Sequence, residues 1–506
     1  MTSTTDSHAE RISYHQQLTV EALVHVGVAL VLVAVAVSSF AVSIPFGVVT
    51  AFAMMLLFSV ALPQGIPVVI ICSFLYQNVA VAWFTPYISD NAAFDALRGA
   101  NFVMLMAAYG VFFLASFQNR LRPVVDLRPW LLWSIALSGI TCFYLALGAV
   151  HGTPKDAIAY FRNTITPIAC FHIAIVAATL YRVELRKSLV WLGSGAIVYG
   201  YLELIFKLDF LSLFHGDEYL LRAIRRQIEN GTFEKQMRET GYVIMNFNDI
   251  LMTNFFNTSL FTGIFPQVFR VNGPNFHSIS YAYALAVLSA WFIFRGRWLL
   301  ALSALPLLLV VGSKGAMFTL LLALMARVLM RAFGRRFAIG ATVALAATWV
   351  AAAIAYGATH GDYHVLGLIA GLKGFLHDPL GQGLGIGGNL SSTADHINWE
   401  RAQHTGATAI PVESAIGVML YQMGIGSLAF FGFLAALAVS AYRKLTSTGD
   451  TDFLFAVVAI VAISANAVLQ EEAFYSPLAL GFAMLLIGTT FGTYFRNQSG
   501  SKGLEA

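Results

Sequence analysis

The sequence contains little charge for its length. Asp, Glu, Lys and Arg make up only 11% of its 506 residues, whereas 58% of the residues are hydrophobic. So small a polar fraction cannot cover the surface of a soluble protein of this size, and it predicts a polytopic helical membrane protein instead. The net charge of +4 is small and spread along the chain, which argues for membrane orientation and against nucleic-acid binding.

Signals for disulfide, metal or nucleotide chemistry are missing as well. Cys72, Cys142 and Cys170 all lie in apolar stretches, and the histidines show no H-E-x-x-H or comparable ligand spacing. Residues 383–388 (GLGIGG) formally match G-x-G-x-x-G, but no βαβ pattern surrounds them. They predict a tight glycine-rich turn that re-enters the membrane. We therefore expect neither a metal nor a cofactor.

Apolar stretches of the length needed to cross a membrane, about 20 residues, recur along the chain. Fourteen candidates lie near residues 21–40, 46–62, 66–86, 99–117, 130–150, 164–181, 188–207, 276–294, 297–312, 314–331, 336–356, 413–441, 452–469 and 475–494. The sequence predicts an all-α polytopic membrane protein with about 14 transmembrane helices and two long extracytoplasmic loops. No internal repeat is visible, which disfavours the transporter folds that are built from repeats.

The basic residues orient these spans. Lys and Arg concentrate in short loops that, with fourteen spans, fall on the same side as both termini, and the positive-inside rule makes this side cytoplasmic. The predicted order is a cytoplasmic tail (1–20), N-terminal transmembrane helices (21–207), an extracytoplasmic segment with an amphipathic helix (208–275), central transmembrane helices (276–356), an extracytoplasmic catalytic loop (357–412), C-terminal transmembrane helices (413–495) and a cytoplasmic tail (496–506).

The predicted amphipathic helix lies in the first of the two long extracytoplasmic segments. Leu220, Ile224 and Ile228 fall on one helical face, and the arginines lie mostly off it. Such a helix either lies on the outer leaflet or packs as a connector on the other spans.

The loop at 357–412 is an exception to the low charge of the chain. Its ionisable residues, with the glutamate that follows the loop, include His364, Lys373, His377, Asp378, Arg401, His404 and Glu413. This concentration predicts a functional site. Further cations lie at predicted outer ends of spans, at Arg98, Arg162 and Lys314, and together with the loop cations they indicate an external anionic ligand.

Four segments resemble one known family. They are 368–389 (LIAGLKGFLHDPLGQGLGIGGN), 413–426 (ESAIGVMLYQMGIG), 270–275 (RVNGPN) and 312–315 (GSKG). In their order they resemble the bacterial O-antigen polymerase and O-antigen ligase family, over about 265–495 and most strongly over 361–430. The chain departs from the family pattern in two places: Lys314 stands where an Arg is usual, and Glu413 stands where a His or Asp is usual.

The resemblance implies a C-type glycosyltransferase fold in the bacterial cytoplasmic (inner) membrane. Such an enzyme moves a glycan from an undecaprenyl-pyrophosphate carrier to an acceptor sugar hydroxyl on the outer face, with inversion and without metal. It implies a polysaccharide polymerase of O-antigen, exopolysaccharide or capsule synthesis, with a chain-length regulator as a candidate partner. The alternatives are an O-antigen ligase of the same family, a lipid-linked glycan flippase or transporter, and a cell-wall polymerase of the rod-shape and division type.

The same resemblance suggests roles for individual residues. The basic residues Arg162, Arg270, Lys314, Lys373 and Arg401 are expected to bind the pyrophosphate, and Glu413 or His404 to serve as general base. Glu413 could instead cap the first turn of the following helix. The pair Glu471 and Glu472 could line the acceptor path, but we expect it to be solvated.

Overall fold

A computed structural model describes residues 3–121, 124–229, 247, 251–258, 263–394 and 397–502. Parts of the predicted 208–275 segment and of both predicted tails lie outside these residues. Of the described residues, 82% are helical, which confirms the all-α prediction. Its helices are α1 (Ser3–Val42), α2 (Ile44–Ala61), α3 (Ile66–Phe84), α4 (Asn91–Arg98), α5 (Ala100–Ala115), α6 (Arg128–His151), α7 (Pro154–Leu180), α8 (Leu185–Ser212), α9 (Gly216–Glu229), α10 (Ser278–Phe294), α11 (Trp298–Ser303), α12 (Leu305–Val311), α13 (Lys314–Phe333), α14 (Arg335–His360), α15 (Tyr363–His377), α16 (Trp399–Thr405), α17 (Ala415–Met423), α18 (Ile425–Thr448), α19 (Thr451–Ala467), α20 (Glu472–Tyr475) and α21 (Phe482–Lys502).

Many of these helices are apolar enough to cross a membrane. Among the described residues ten segments are long and apolar enough for a crossing, and the α4–α5 pair, bent by 43°, would make eleven. Three shorter apolar helices cover Ser278–Phe294, Trp298–Val311 and Thr451–Ala467. Each of the fourteen predicted spans overlaps one of these apolar segments. The multi-pass character of the chain is therefore supported, while a count of fourteen crossings and their orientation stay predictions.

The chain divides into two compact units. The first unit consists of Met1–Val111, Tyr181–Leu285 and Ser303–Lys314, and the second of Phe112–Leu180, Ala286–Leu302 and Gly315–Ala506. The first unit contains a two-stranded antiparallel sheet, in which β1 (Met252–Thr253) pairs with β2 (Val268–Phe269).

Helix α9 of the first unit confirms the predicted amphipathic helix. Its Tyr219 ring lies 5.3 Å from the Phe94 ring and 4.8 Å from the Phe276 ring, and Arg222 donates a hydrogen bond to the Ile88 carbonyl. Leu220 is buried. Helix α9 is thus packed on neighbouring parts of the first unit, which is the connector arrangement of the two that the sequence allows.

The core of the second unit is built on α7, whose residues from Asn163 to Thr179 are all buried. Gly488 and Gly492 of α21 form a G-x-x-x-G pair against it. A Cβ at Gly488 would lie 2.7 Å from the Phe171 carbonyl oxygen, so the two helix backbones pack in direct contact. Small residues at this spacing are typical of close helix packing in membranes.

One predicted span is broken in the structure. The stretch 413–441 was expected to be continuous, but Gly424 has φ 47° and ψ −129° and separates α17 from α18. An L side chain rarely adopts this conformation, whereas glycine does. The break leaves α17 with only nine residues, and α17 packs against α15.

Candidate active site

The glycine-rich segment of the second unit folds as the tight turn that its sequence predicts. Gly381, Gly383, Gly385, Gly387 and Gly388 all have positive φ, between 78° and 99°. The turn lies directly on α6. A Cβ at position 148 of α6, also a glycine, would collide with the backbone carbonyl of residue 384. The turn is therefore fixed by contacts between main-chain atoms.

Two side chains of α7 hold the end of this turn. Asp156 Oδ2 accepts hydrogen bonds from Ser392 N at 3.0 Å and from Ser392 Oγ at 2.7 Å. The Tyr160 hydroxyl accepts one from Leu390 N at 3.0 Å. Asp156 and Tyr160 are four residues apart, which places them one above the other on the same helical face.

A third acceptor is Glu471, which lies just before α20. Its side chain is buried: Oε1 accepts a hydrogen bond from the Tyr160 hydroxyl, and Oε2 accepts one from Asn389 N at 2.9 Å. Burial raises the pKa of Glu471 from 4.5 to about 8; the charges of Glu472 and Glu413 act in the same direction, and the two hydrogen bonds oppose them. The expectation that Glu471 is solvated is wrong, because the glycine turn and α7 cover it.

Glu413 follows the loop at the point where α17 is about to begin. Its backbone has φ 64°, and its N–H donates to Asn389 Oδ1 at 3.2 Å. Its Oε2 atom lies 3.6 Å from Nδ1 of His364, and both side chains are about one-third exposed. Helix α17 is capped by Ser414, whose Oγ accepts from Gly417 N at 3.1 Å. The side chain that caps α17 is therefore that of Ser414 and not that of Glu413.

The other predicted site residues that belong to the second unit lie on three helices. His404 and Arg401 are exposed on α16, and Lys373 is exposed on α15. Arg162, on α7, is partly exposed, and its Nε donates to Asn163 Oδ1 at 3.4 Å. Within the described ranges, the histidine paired with Glu413 is His364 and not His404.

Arg270 and Lys314 belong to the first unit. Arg270 follows β2 and is the first residue of the segment 270–275. The backbone of this segment is hydrogen-bonded to Glu203 of α8. The fully buried Glu203 carboxylate accepts hydrogen bonds from Asn272 N and Gly273 N, both at 2.8 Å. Gly273 has φ 69°, and a Cβ there would collide with the Tyr281 ring. Lys314 is the first residue of α13.

Positive charge gathers around the end of this segment. Part of the His277 side chain is exposed. Desolvation of its ring, together with the charges of Arg270 and Arg98, lowers the pKa of His277 to about 4. Its Nδ1 accepts a hydrogen bond from Ser280 N at 3.2 Å. The guanidinium of Arg98 lies 5.9 Å from the centre of the Tyr219 ring. The first unit thus brings together two of the arginines that the sequence associates with an anionic ligand, beside a neutral histidine.

Sequence reasoning missed several residues that build these sites. Glu203 is the clearest omission, since an acidic residue inside the predicted span 188–207 is itself a functional or structural signal. Asp156 and Tyr160 carry a weaker signal, their i, i+4 spacing. Asn389 carries no local signal. His364 was recognised as part of the charge-rich loop, but its place beside Glu413 was not, because that contact joins distant parts of the chain.

The described part of the chain contains no group of three or more His, Cys, Asp or Glu side chains that could hold a metal ion. Comparison of the chain with protein-family models, with curated proteins and with solved structures finds no match.

Proposed function

We propose that the chain is a polysaccharide polymerase of the bacterial inner membrane, a member of the O-antigen polymerase and ligase family with a C-type glycosyltransferase fold. It would transfer glycan from an undecaprenyl-pyrophosphate-linked donor to an acceptor sugar hydroxyl. The observation that carries this proposal is the Glu413–His364 pair at the end of the glycine turn. It offers a solvent-accessible carboxylate on a rigid backbone, which is what a general base requires.

The reaction needs one proton transfer and one displacement. The Glu413 carboxylate accepts the proton of the acceptor hydroxyl while that oxygen forms a bond to the anomeric carbon of the donor. The bond from this carbon to the pyrophosphate oxygen breaks, and the electron pair leaves with the lipid pyrophosphate. A single in-line attack inverts the anomeric centre. Nδ1 of His364 lies 3.6 Å from the carboxylate, so its imidazole is placed to orient Glu413.

The leaving group carries negative charge and therefore needs cations. Arg270 is the best supported of the predicted ligands, because Glu203 and the segment 270–275 fix its backbone. Arg98, which lies near His277 like Arg270, joins the predicted set. Lys314, Arg162, Lys373 and Arg401 keep their predicted role of binding pyrophosphate. Arginine and lysine can hold phosphate oxygens through charge-assisted hydrogen bonds without a metal ion.

A second candidate function is transport, either of lipid-linked glycan or coupled to protons. The observation in its favour is Glu203, a fully buried carboxylate in an apolar helix, since such groups often belong to ion or proton pathways. Both oxygens of Glu203, however, bind backbone N–H groups of one loop. This arrangement suits a structural anchor better than a carrier of protons.

The decisive experiment uses the purified full chain in liposomes with an undecaprenyl-pyrophosphate-linked oligosaccharide. A polymerase produces a ladder of longer lipid-linked glycans, and we expect this ladder to form in the presence of EDTA. A ligase produces a single transfer to a lipid acceptor, and a flippase moves the donor across the bilayer without forming a glycosidic bond. Translocation without any new bond would reject the proposal.

A further inference from the structure

Three side chains of the second unit bind one short stretch of backbone. We call Asp156, Tyr160 and Glu471 the turn clamp. They accept hydrogen bonds from the main-chain N–H groups of residues 392, 390 and 389, respectively. Tyr160 and Glu471 are also bonded to each other, and both are buried. The clamp is rigid, because two of its members lie on α7, which forms the core of the unit.

Asn389 connects the turn clamp to Glu413. Its N–H donates to Glu471, while its side-chain oxygen accepts the N–H of Glu413 at 3.2 Å. Glu413 has φ 64°, a left-handed conformation that non-glycine residues adopt only when the surroundings impose it. Gly388 supplies the close approach, since a Cβ there would collide with the Tyr160 hydroxyl.

We propose that Tyr160 and Glu471 are positioning residues for Glu413: by holding Leu390 and Asn389 they fix the left-handed backbone of Glu413 and so determine where its carboxylate lies. This inference rests on the proposed role of Glu413 as the general base. Neither clamp residue touches the substrate, because both are buried. Their effect reaches Glu413 through the backbone of Asn389 and Leu390 and the side chain of Asn389.

The protonation state of Glu471 makes the inference sharper. The ionisable groups that face its carboxyl are Tyr160, Glu413, Glu472 and Tyr475. Because burial holds the pKa of Glu471 at about 8, the carboxyl is mostly protonated at neutral pH. In this protonated form Oε2 still accepts from Asn389 N–H, while Oε1 carries the proton and donates it to the Tyr160 oxygen, so the direction of that bond is reversed. A glutamine has the same shape and the same combination of one accepting oxygen and one donating group. Glu471→Gln should therefore keep the clamp, whereas Glu471→Ala should release Asn389.

The position of residue 413 can be measured without any substrate. Glu413→Cys is introduced together with Cys142→Ser, since Cys72 and Cys170 are buried. The labelling rate of the new thiol by a water-soluble maleimide is then compared in two backgrounds, Tyr160→Phe and Tyr475→Phe. The second is a matched control: the Tyr475 ring lies 5.2 Å from the Tyr160 ring, and its buried hydroxyl has no hydrogen-bond partner among the described residues.

We expect Tyr160→Phe to change the labelling rate by about tenfold, the value of one hydrogen bond of ordinary strength, and Tyr475→Phe to leave it within about twofold. Glu471→Ala should act like Tyr160→Phe, and Glu471→Gln should restore the wild-type rate. Equal rates in Tyr160→Phe and Tyr475→Phe would overturn the proposal. Equal changes in Glu471→Ala and Glu471→Gln would overturn the role given to Glu471.

The same variants, with Glu413 intact, connect position to catalysis. Misplacing the base should lower kcat by about 100-fold in Tyr160→Phe with KM for the lipid-linked donor unchanged. Wild-type kcat in Tyr160→Phe would overturn the positioning role. If labelling responds as expected but the wild-type chain forms no polymer, the proposed function fails while the effect of the clamp on residue 413 stands.

Discussion

Two irregular segments of the molecule are anchored in the same way. In the first unit, buried Glu203 accepts hydrogen bonds from the main chain of residues 272 and 273. In the second unit, buried Glu471 accepts a hydrogen bond from the main chain of residue 389. Both segments contain a glycine with positive φ, Gly273 in one and Gly388 in the other. An acidic side chain thus takes the place of the regular backbone partners that a helix would supply.

Glu203 and Glu471 differ in their hydrogen-bond partners. Both oxygens of Glu203 bind adjacent N–H groups of one loop, whereas Glu471 binds one N–H group and the hydroxyl of Tyr160. The segments also present opposite charge: Arg270 belongs to the first, and Glu413 is hydrogen-bonded to the second. The comparison teaches that a buried acid in this chain serves mainly as a ligand for backbone. The residues proposed to take part in the reaction, Arg270 and Glu413, are neighbours of the backbone that these acids hold.

The largest effect is expected at Glu413, the acidic residue that is hydrogen-bonded to the second segment. Glu413→Gln keeps the size of the side chain but removes the proposed base, so polymer formation should fall by about 10²–10⁴-fold in the liposome assay. His404→Ala is the matched comparison, because His404 is exposed on α16 and, in the described ranges, the histidine beside Glu413 is His364. If His404→Ala abolishes the reaction and Glu413→Gln does not, the base is His404 and the ligase alternative gains support.

A smaller loss of turnover is expected at Arg270, in the segment 270–275 of the first unit. If Arg270 binds the leaving pyrophosphate as proposed, Arg270→Ala removes charge-assisted hydrogen bonds worth about 1.5–3 kcal/mol each, so turnover should fall by about tenfold or more. Arg401 is also a proposed ligand, but we expect a smaller loss in Arg401→Ala, because Arg401 is exposed on α16 and an exposed charge contributes about 1 kcal/mol or less. Equal turnover of Arg270→Ala and wild type would remove Arg270 from the donor site.

The hydrogen bonds of Glu203 in the first unit can be weakened without changing any residue of the segment 270–275. Glu203→Gln places an amide N–H against one of two backbone N–H groups, so we expect destabilisation by about 1–3 kcal/mol, seen as a lower midpoint of thermal denaturation in detergent. Glu218→Gln is the control, since Glu218 is half-exposed on α9 and loses only a pair with His215 at 3.5 Å. Identical midpoints for both variants would show that Glu203 is not an anchor.

The anchor of the second unit should reveal itself through pH. The pKa of Glu471 is 4.5 when the side chain is free and about 8 in the folded chain. Between these values the unfolded chain loses the proton and the folded chain keeps it, so stability should fall as pH rises from about 4.5 to about 8. The contribution of this one group reaches about 1.4 kcal/mol per pH unit. Glu471→Gln should flatten this dependence, and a denaturation midpoint with the same pH profile in both proteins would contradict the assignment.

The helices and the glycine turn could be predicted because their signals are local. An apolar stretch of sufficient length specifies a helix wherever the chain carries it, and the closely spaced glycines at 381–388 specify a turn. The break at Gly424 could not be predicted, because a single glycine within an apolar stretch is also compatible with a continuous helix.

The candidate site was only partly predictable. Glu413 could be selected from its place at the end of a charge-rich loop. His404 was named from the family resemblance, and His364 only as one ionisable residue of that loop, because its place beside Glu413 depends on a contact between residues distant in sequence. Glu471 was misjudged for the same reason, since its burial depends on Tyr160, which is 311 residues away. Contacts of this kind leave no pattern in a local stretch of sequence.

The hydrogen bond between Asn389 and Glu471 joins residues that are 82 positions apart. A ribosome adds about 5–20 residues per second, so Glu471 is synthesised roughly 4–16 s after Asn389. Tyr160 is available throughout this interval, but the carboxyl that completes the clamp is not. The glycine turn therefore reaches its final form late in biosynthesis, and a chain that terminates before residue 471 would insert most of its helices yet leave Asn389 unanchored.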